Sequence, residues 1–116
     1  KRDLGELALI KTLSLDDETR ASMIDYLDSE LFSNHRDLYN AIVSGDPNAL
    51  RPLQSETLIK ALSREEALAA ARRLMTIFCE KEARLLRAER ETARMKEAQK
   101  AIMRLKRGEM IAFRRF

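Results

Sequence analysis

In the first half of the chain, apolar residues recur every three or four positions in short runs. This spacing places them on one face of an α-helix. The first run predicts a helix from about Asp3 to Leu13, and Pro52 is expected to end a short turn. Gly45 supplies one helix stop, because glycine readily adopts the left-handed backbone found at helix ends. Further short helices are expected after polar capping residues, which are Ser14, Ser33 or Asn34, Asp46 and Ser55. The pattern therefore predicts a bundle of four or five short helices over residues 1–62.

The pattern changes at Ser63, which forms a capping box with Glu66 three residues later. No glycine or proline follows until Gly108, and one helix of about 44 residues would be about 66 Å long. That length far exceeds an ordinary domain helix. A polar stretch separates two apolar stripes near residues 88–94. We therefore expect two helices joined by a polar turn at that stretch, and we treat residues 63–116 as a second subdomain.

Composition supports an all-α fold. Ala, Leu, Arg, Glu, Lys and Met dominate and are strong helix formers, whereas three Gly and two Pro are few for the turns of a β-protein. The single cysteine, Cys79, fits a reducing compartment. No apolar run approaches the roughly 20 residues of a membrane span. The predicted architecture is an N-terminal helical bundle followed by a long-helix C-terminal hairpin.

Charge is divided unevenly along the chain. Residues 1–63 carry 7 basic and 11 acidic side chains, a net charge of −4, whereas residues 64–116 carry 15 basic and 8 acidic ones, a net charge of +7. The two parts are therefore expected to meet different surroundings. Because the sequence starts at Lys1 rather than Met, we expect it to be one domain of a longer protein.

Few groups are available for catalysis or for cofactor binding. The only histidine, His35, is interpreted as a residue in the first turn of a helix. The acidic run Asp16–Glu18 is interpreted as helix capping, and Cys79 as a small core residue. The sequence contains no cluster with the ligand spacing of a zinc site and no glycine-rich phosphate loop. We expect no catalytic residue, no metal and no cofactor.

Nucleic acid is a secondary candidate partner. Eleven basic residues in the last two helices could contact phosphates. Carboxylates are interleaved among them, and no aromatic residue lies between Phe78 and Phe113 to stack on bases. The basic residues are Arg72, Arg73, Arg84, Arg87, Arg90, Arg94, Lys96, Lys100, Arg104, Lys106 and Arg107.

A protein partner explains the second half of the chain better. A thin hairpin cannot hide both of its faces, and apolar surface rimmed by charge marks an interaction site. The alternative is that these side chains complete the core or a homodimer seam. The candidate partner-binding residues are Leu85, Leu86, Met95, Ile102, Met103, Leu105, Lys106, Met110, Ile111 and Phe113.

The arrangement resembles the C-terminal helicase-binding domain of bacterial DNA primase, of the DnaG type. Three stretches carry the resemblance: LGELALIKTL at residues 4–13, LDSELFSNHRDLYNAIV at residues 27–43 and AIMRLKRGEM at residues 101–110. The N-terminal domain of the DnaB-type replicative helicase resembles residues 3–62 almost as well, but it lacks a long arginine-rich closing segment.

The resemblance implies a non-catalytic domain of a bacterial, cytoplasmic replication protein. It would dock on the N-terminal domains of the replicative helicase at the fork, mostly through the closing hairpin, and would couple primer synthesis to unwinding. In some relatives the bundle also receives the tail of single-stranded DNA-binding protein. The polymerase and zinc-binding parts would lie in the upstream chain.

Overall fold

The computed structural model describes residues 2–116, so Lys1, the first residue of the predicted bundle, lies outside the described residues. Within this range the chain is all-helical, as predicted, and contains no strand. Two single 3₁₀ turns, Ile24–Tyr26 and Ser29–Leu31, lie between the second and third helices. The six α-helices are α1 (Leu4–Leu15), α2 (Asp17–Met23), α3 (Arg36–Ser44), α4 (Pro47–Ser55), α5 (Arg64–Ala88) and α6 (Thr92–Lys106).

Aspartates begin the first two helices, as predicted for the first at Asp3, but in place of the predicted Ser14 for the second. Asp3 accepts a hydrogen bond from Glu6 N and caps α1, and Asp16 accepts one from Thr19 N and caps α2. The prediction of Ser14 as a cap is wrong, because its hydroxyl donates to Lys11 O inside α1. A carboxylate is favoured at this position because it faces the positive end of the helix dipole.

The start of α3 also differs from the prediction. His35 occupies the N-cap position, where Ser33 or Asn34 was expected, and no side chain caps this helix locally. The backbone N–H groups of Asn34 and His35 instead donate to the carboxylate of Glu6 in α1. A distant residue therefore supplies the acceptor that a local cap would have provided. The predicted stop at Gly45 is confirmed, with φ of 69° in the left-handed region.

The connection between α4 and α5 is not the predicted helix. Pro52 lies inside α4 instead of ending a turn, and residues 57–63, which Ser55 was expected to cap, are not helical. Tertiary contacts replace the helical hydrogen bonds. Lys11 Nζ donates to Glu56 O at 2.6 Å and to Ile59 O at 2.7 Å, and Leu62 N donates to the Thr12 hydroxyl at 2.8 Å.

The hairpin is confirmed. Ser63 and Glu66 form the predicted capping box at the start of α5, and the chain reverses between Ala88 and Thr92. Arg90 has φ of 61° and supplies the left-handed residue that the turn needs in the absence of glycine. Helix α5 packs on α1 and α2, whereas α6 packs against α5 and, within the described residues, against no other helix. The division into subdomains 1–62 and 63–116 stays a prediction.

Candidate partner-binding surface

The candidate partner-binding residues fall into three groups by exposure. Leu85 and Met103 are 51% and 62% exposed. Lys106 is also exposed and lies 4.0 Å from the Glu80 carboxylate, measured from its Nζ atom. Leu86 and Leu105 are buried, at 4% and 2% exposure. The remaining five are half-buried against the core, and they are Met95, Ile102, Met110, Ile111 and Phe113.

The expectation that all these apolar side chains lack partners within the chain is wrong for Leu86 and Leu105. Both lie in the core cluster, which also takes in Ala98 and Ala101 of α6. Small alanine side chains let two helix backbones approach closely, so that the larger leucines fill the space on either side. In this conformation neither leucine is available to a partner.

The residues after α6 form a segment that folds back over the hairpin, and we call Glu109–Phe116 the tail. The Phe113 ring packs against Phe78 of α5, with centroids 5.0 Å apart and planes tilted by 53°. Phe113 N donates to Tyr26 O of the bundle at 2.9 Å. The last residue, Phe116, is buried, at 6% exposure, and the sequence did not predict this burial. Its place at the end of a basic stretch gave no periodic signal.

Charged side chains hold the tail at several points. Arg115 pairs with Glu30 of the bundle. On the hairpin side, Arg94 of α6 donates to Phe116 O. Phe116 N donates to the Glu82 carboxylate of α5 at 3.4 Å, and the Arg114 guanidinium lies 4.5 Å above the Phe116 ring centroid. The half-buried state of the tail therefore follows from contacts with both the bundle and the hairpin.

Another exposed apolar residue of the hairpin was missed in the sequence. Ile77 of α5 is 55% exposed. It lies outside the apolar stripe that packs on the bundle, and this position in the sequence could have identified it as exposed. Exposed basic residues lie one turn to either side of it, at Arg73 and Lys81, and two turns further along the helix, at Arg84. The outer surface of the hairpin therefore presents isolated apolar side chains among cations, on both α5 and α6.

Buried polar groups in this structure serve the fold. The Nε2 atom of His35 accepts from Asp3 N at 2.9 Å, which joins the start of α1 to the start of α3. Burial raises the pKa of Glu6, whose carboxylate nevertheless accepts hydrogen bonds from residues 34 and 35. Burial also raises the pKa of the Cys79 thiol to about 11. Both ionisable groups are therefore occupied or shielded rather than presented to a ligand.

No group of three or more His, Cys, Asp or Glu residues is placed to hold a metal ion in the part of the chain that the structure describes. None of the helices described above is both long and apolar enough to cross a membrane.

The domain is all-helical over its described residues, and its hairpin exposes Ile77, Leu85 and Met103 among basic side chains. The model of one family, the DnaG-primase C-terminal, helicase-binding domain, matches residues 3–112. The chain belongs to this family, which is a non-catalytic domain family of DNA replication whose partner is a helicase. No curated protein and no solved structure gives a match.

Proposed function

We propose that this domain docks on the N-terminal domain of the replicative DNA helicase and thereby couples primer synthesis to unwinding. Family membership supports the helicase as the class of partner. The coupling follows if the domain is joined in one chain to the polymerase of a DNA primase, because docking then holds primer synthesis close to newly unwound template. A short tether raises the effective concentration of the attached activity at its target.

The exposed part of the hairpin is the surface that we assign to docking. Leu85 and Met103 are at least half exposed, on α5 and α6 respectively. Burying a leucine or methionine side chain at an interface stabilises a complex by roughly 1.5–3 kcal/mol each. Lys106 and Arg84 lie on the charged rim and favour an acidic partner surface through steering. The exposure of Leu85 and Met103 is the single observation that carries this assignment.

A pull-down of the helicase N-terminal domain with this chain tests the proposal. The variant with Leu85→Asp and Met103→Asp is expected to lose helicase binding while its helical circular dichroism is unchanged, because neither side chain is needed by the core. Leu58→Asp is the matched control, since Leu58 is 86% exposed but lies in the bundle. Retained binding by the double variant would remove Leu85 and Met103 from the interface. Substitution of Leu105 is not a suitable test of docking, because that side chain is buried in the core.

Nucleic acid remains the second candidate, and one observation favours it. Lys96 and Lys100 lie one turn apart on the exposed face of α6. Two neighbouring cations are less available, since Arg104 and Arg107 lie 3.1 and 3.8 Å from the carboxylate of Glu109. A titration with duplex DNA at low salt tests this candidate. Binding to the tail of single-stranded DNA-binding protein stays a prediction without an assigned surface.

A further inference from the structure

The attachment of α6 to the rest of the molecule is indirect. Helix α6 packs against α5 alone among the helices of residues 2–116. Helix α5 has 25 residues and is about 37 Å long, and apart from Leu86 its buried residues lie between Ala67 and Cys79. The position of the hairpin relative to the bundle therefore depends on the first turns of α5 and on any other segment that joins the two.

The tail is such a segment. It contacts the bundle through the Phe113 N–H, which donates to Tyr26 O, and through the pair between Arg115 and Glu30. It contacts the hairpin through the rings of Phe113 and Phe78. These contacts alternate along the tail, so both subdomains are held by the same few residues.

The end of the tail binds both helices of the hairpin. Phe116 is buried, with its N–H directed to Glu82 of α5 and its carbonyl oxygen accepting from Arg94 of α6. Arg114 lies 4.0 Å from the carboxylate of Glu97 on α6 and stacks over the Phe116 ring. Buried aromatic contacts and hydrogen bonds to charged groups are among the stronger surface interactions.

We propose that the tail is an intramolecular clamp that fixes the orientation of the α5–α6 hairpin on the bundle. Residues 113–116 lie beyond the matched residues 3–112. Met110, Ile111 and Phe113 serve the clamp while it is closed, and a partner that captured them would release the hairpin. The clamp does not depend on helicase docking.

Cys79 provides a direct measurement of clamp opening. It is the single cysteine of the chain and lies under the tail, in a small cavity that Phe113 and Phe116 also line. Because the thiol is 5% exposed, reaction with an aromatic disulfide reagent requires the tail to move away. Combining Phe113→Ala with Phe116→Ala is expected to speed labelling of Cys79 by roughly tenfold, which corresponds to about 1.4 kcal/mol.

A control variant separates clamp opening from general unfolding. Phe32→Ala removes an aromatic ring from the bundle core, where Phe32 stacks on Tyr39 with centroids 4.3 Å apart. Labelling through local opening is insensitive to low urea, because little surface is exposed, whereas labelling through global unfolding is steeply sensitive. Urea-insensitive acceleration supports the clamp if Arg115→Glu, which leaves both rings over Cys79, shows it as the tail variant does. An unchanged rate, or acceleration with the urea dependence of Phe32→Ala, overturns it.

Hairpin orientation is measured separately. Spin labels at Val43→Cys in the bundle and Lys100→Cys on α6, in a Cys79→Ala background, are expected to give a narrow distance distribution that broadens when the two tail phenylalanines are replaced. An equally narrow distribution in the tail variant would refute the orienting role. Should that variant fail to fold, Arg115→Glu tests the same clamp, and adding Glu30→Arg is expected to restore slow Cys79 labelling. Failure of the charge exchange to restore it would count against the clamp.

Discussion

Replacement of Glu6 by alanine is predicted to destabilise the domain, although Glu6 belongs to the bundle and not to the hairpin. The carboxylate is 2% exposed and accepts from His35 N at 3.0 Å and from Asn34 N at 3.2 Å. The side-chain amide of Asn34 donates to it as well, at 3.1 Å. These bonds connect α1 to the loop before α3, which has no local side-chain cap.

The magnitude follows from the donors that the substitution would leave behind. A hydrogen bond to a charged group contributes about 1.5–3 kcal/mol, and an unsatisfied buried donor costs about 1–3 kcal/mol. His35 N also donates to Phe32 O at 3.1 Å, and Asn34 is exposed to water. Both facts reduce the cost, so we expect Glu6→Ala to lower the free energy of unfolding by about 2 kcal/mol. Burial raises the pKa of Glu6, so the ionised group itself gains little, and the loss comes from its orphaned donors.

Urea unfolding followed by circular dichroism measures this loss. Glu6→Gln is expected to fall between the wild type and Glu6→Ala, because it keeps one acceptor oxygen but no charge. Glu65→Ala is the control, since Glu65 lies exposed in the first turn of α5 and its loss is expected to cost less than about 1 kcal/mol. A loss below about 1 kcal/mol for Glu6→Ala would refute the reasoning that this carboxylate fixes the start of α3.

Two further predictions concern helix ends. Hydrogen bonds at the starts of their helices hold the pKa values of three carboxylates below their usual range, and these are Asp3, Asp16 and Glu66. Their contribution to stability is present above their unfolded pKa values and is lost as the pH falls through the lowered folded values; Glu6, with its raised pKa, acts in the opposite direction. Unfolding free energy measured from pH 7 to pH 3 is therefore expected to decrease below about pH 4, and a constant value would contradict this. Arg90→Gly is expected to stabilise the hairpin by about 0.5–1 kcal/mol, since glycine adopts positive φ without strain. In calorimetry it should raise the melting temperature, whereas Arg87→Gly, inside α5, should lower it.

The sequence predicted those features that depend on local chemistry. The capping box at Ser63 and the stop at Gly45 require only nearby residues, and both are confirmed. The polar stretch near residue 90 also predicted the turn correctly, because it has no large apolar side chain that could extend the stripe. Arg90 itself, with its left-handed backbone, carries no local signal.

Apart from the cap predicted at Ser14, the features that were wrong or missed depend on contacts between distant residues. The segment after Ser55 has a helical pattern, but Lys11 and Thr12 of α1 bind its backbone in a non-helical form. Likewise, the sequence predicted that the apolar residues of the tail would be exposed and available to a partner. Only the folded chain brings Tyr26 and Phe78 beside them. Leu85 and Met103 keep the exposure that the docking prediction needs, while their role in binding stays a prediction.

The buried ammonium of Lys11 has a consequence for how this domain can vary. Its Nζ atom donates hydrogen bonds to the main-chain carbonyl oxygens of Glu56 and Ile59, at 2.6 and 2.7 Å. Since main-chain atoms are common to nearly all amino acids, the path of the crossover into α5 is specified without reference to the side chains of Thr57, Leu58 and Lys60, which point outward. Substitutions at those three positions are therefore expected to be tolerated, whereas loss of the Lys11 ammonium would remove the donor to both carbonyls.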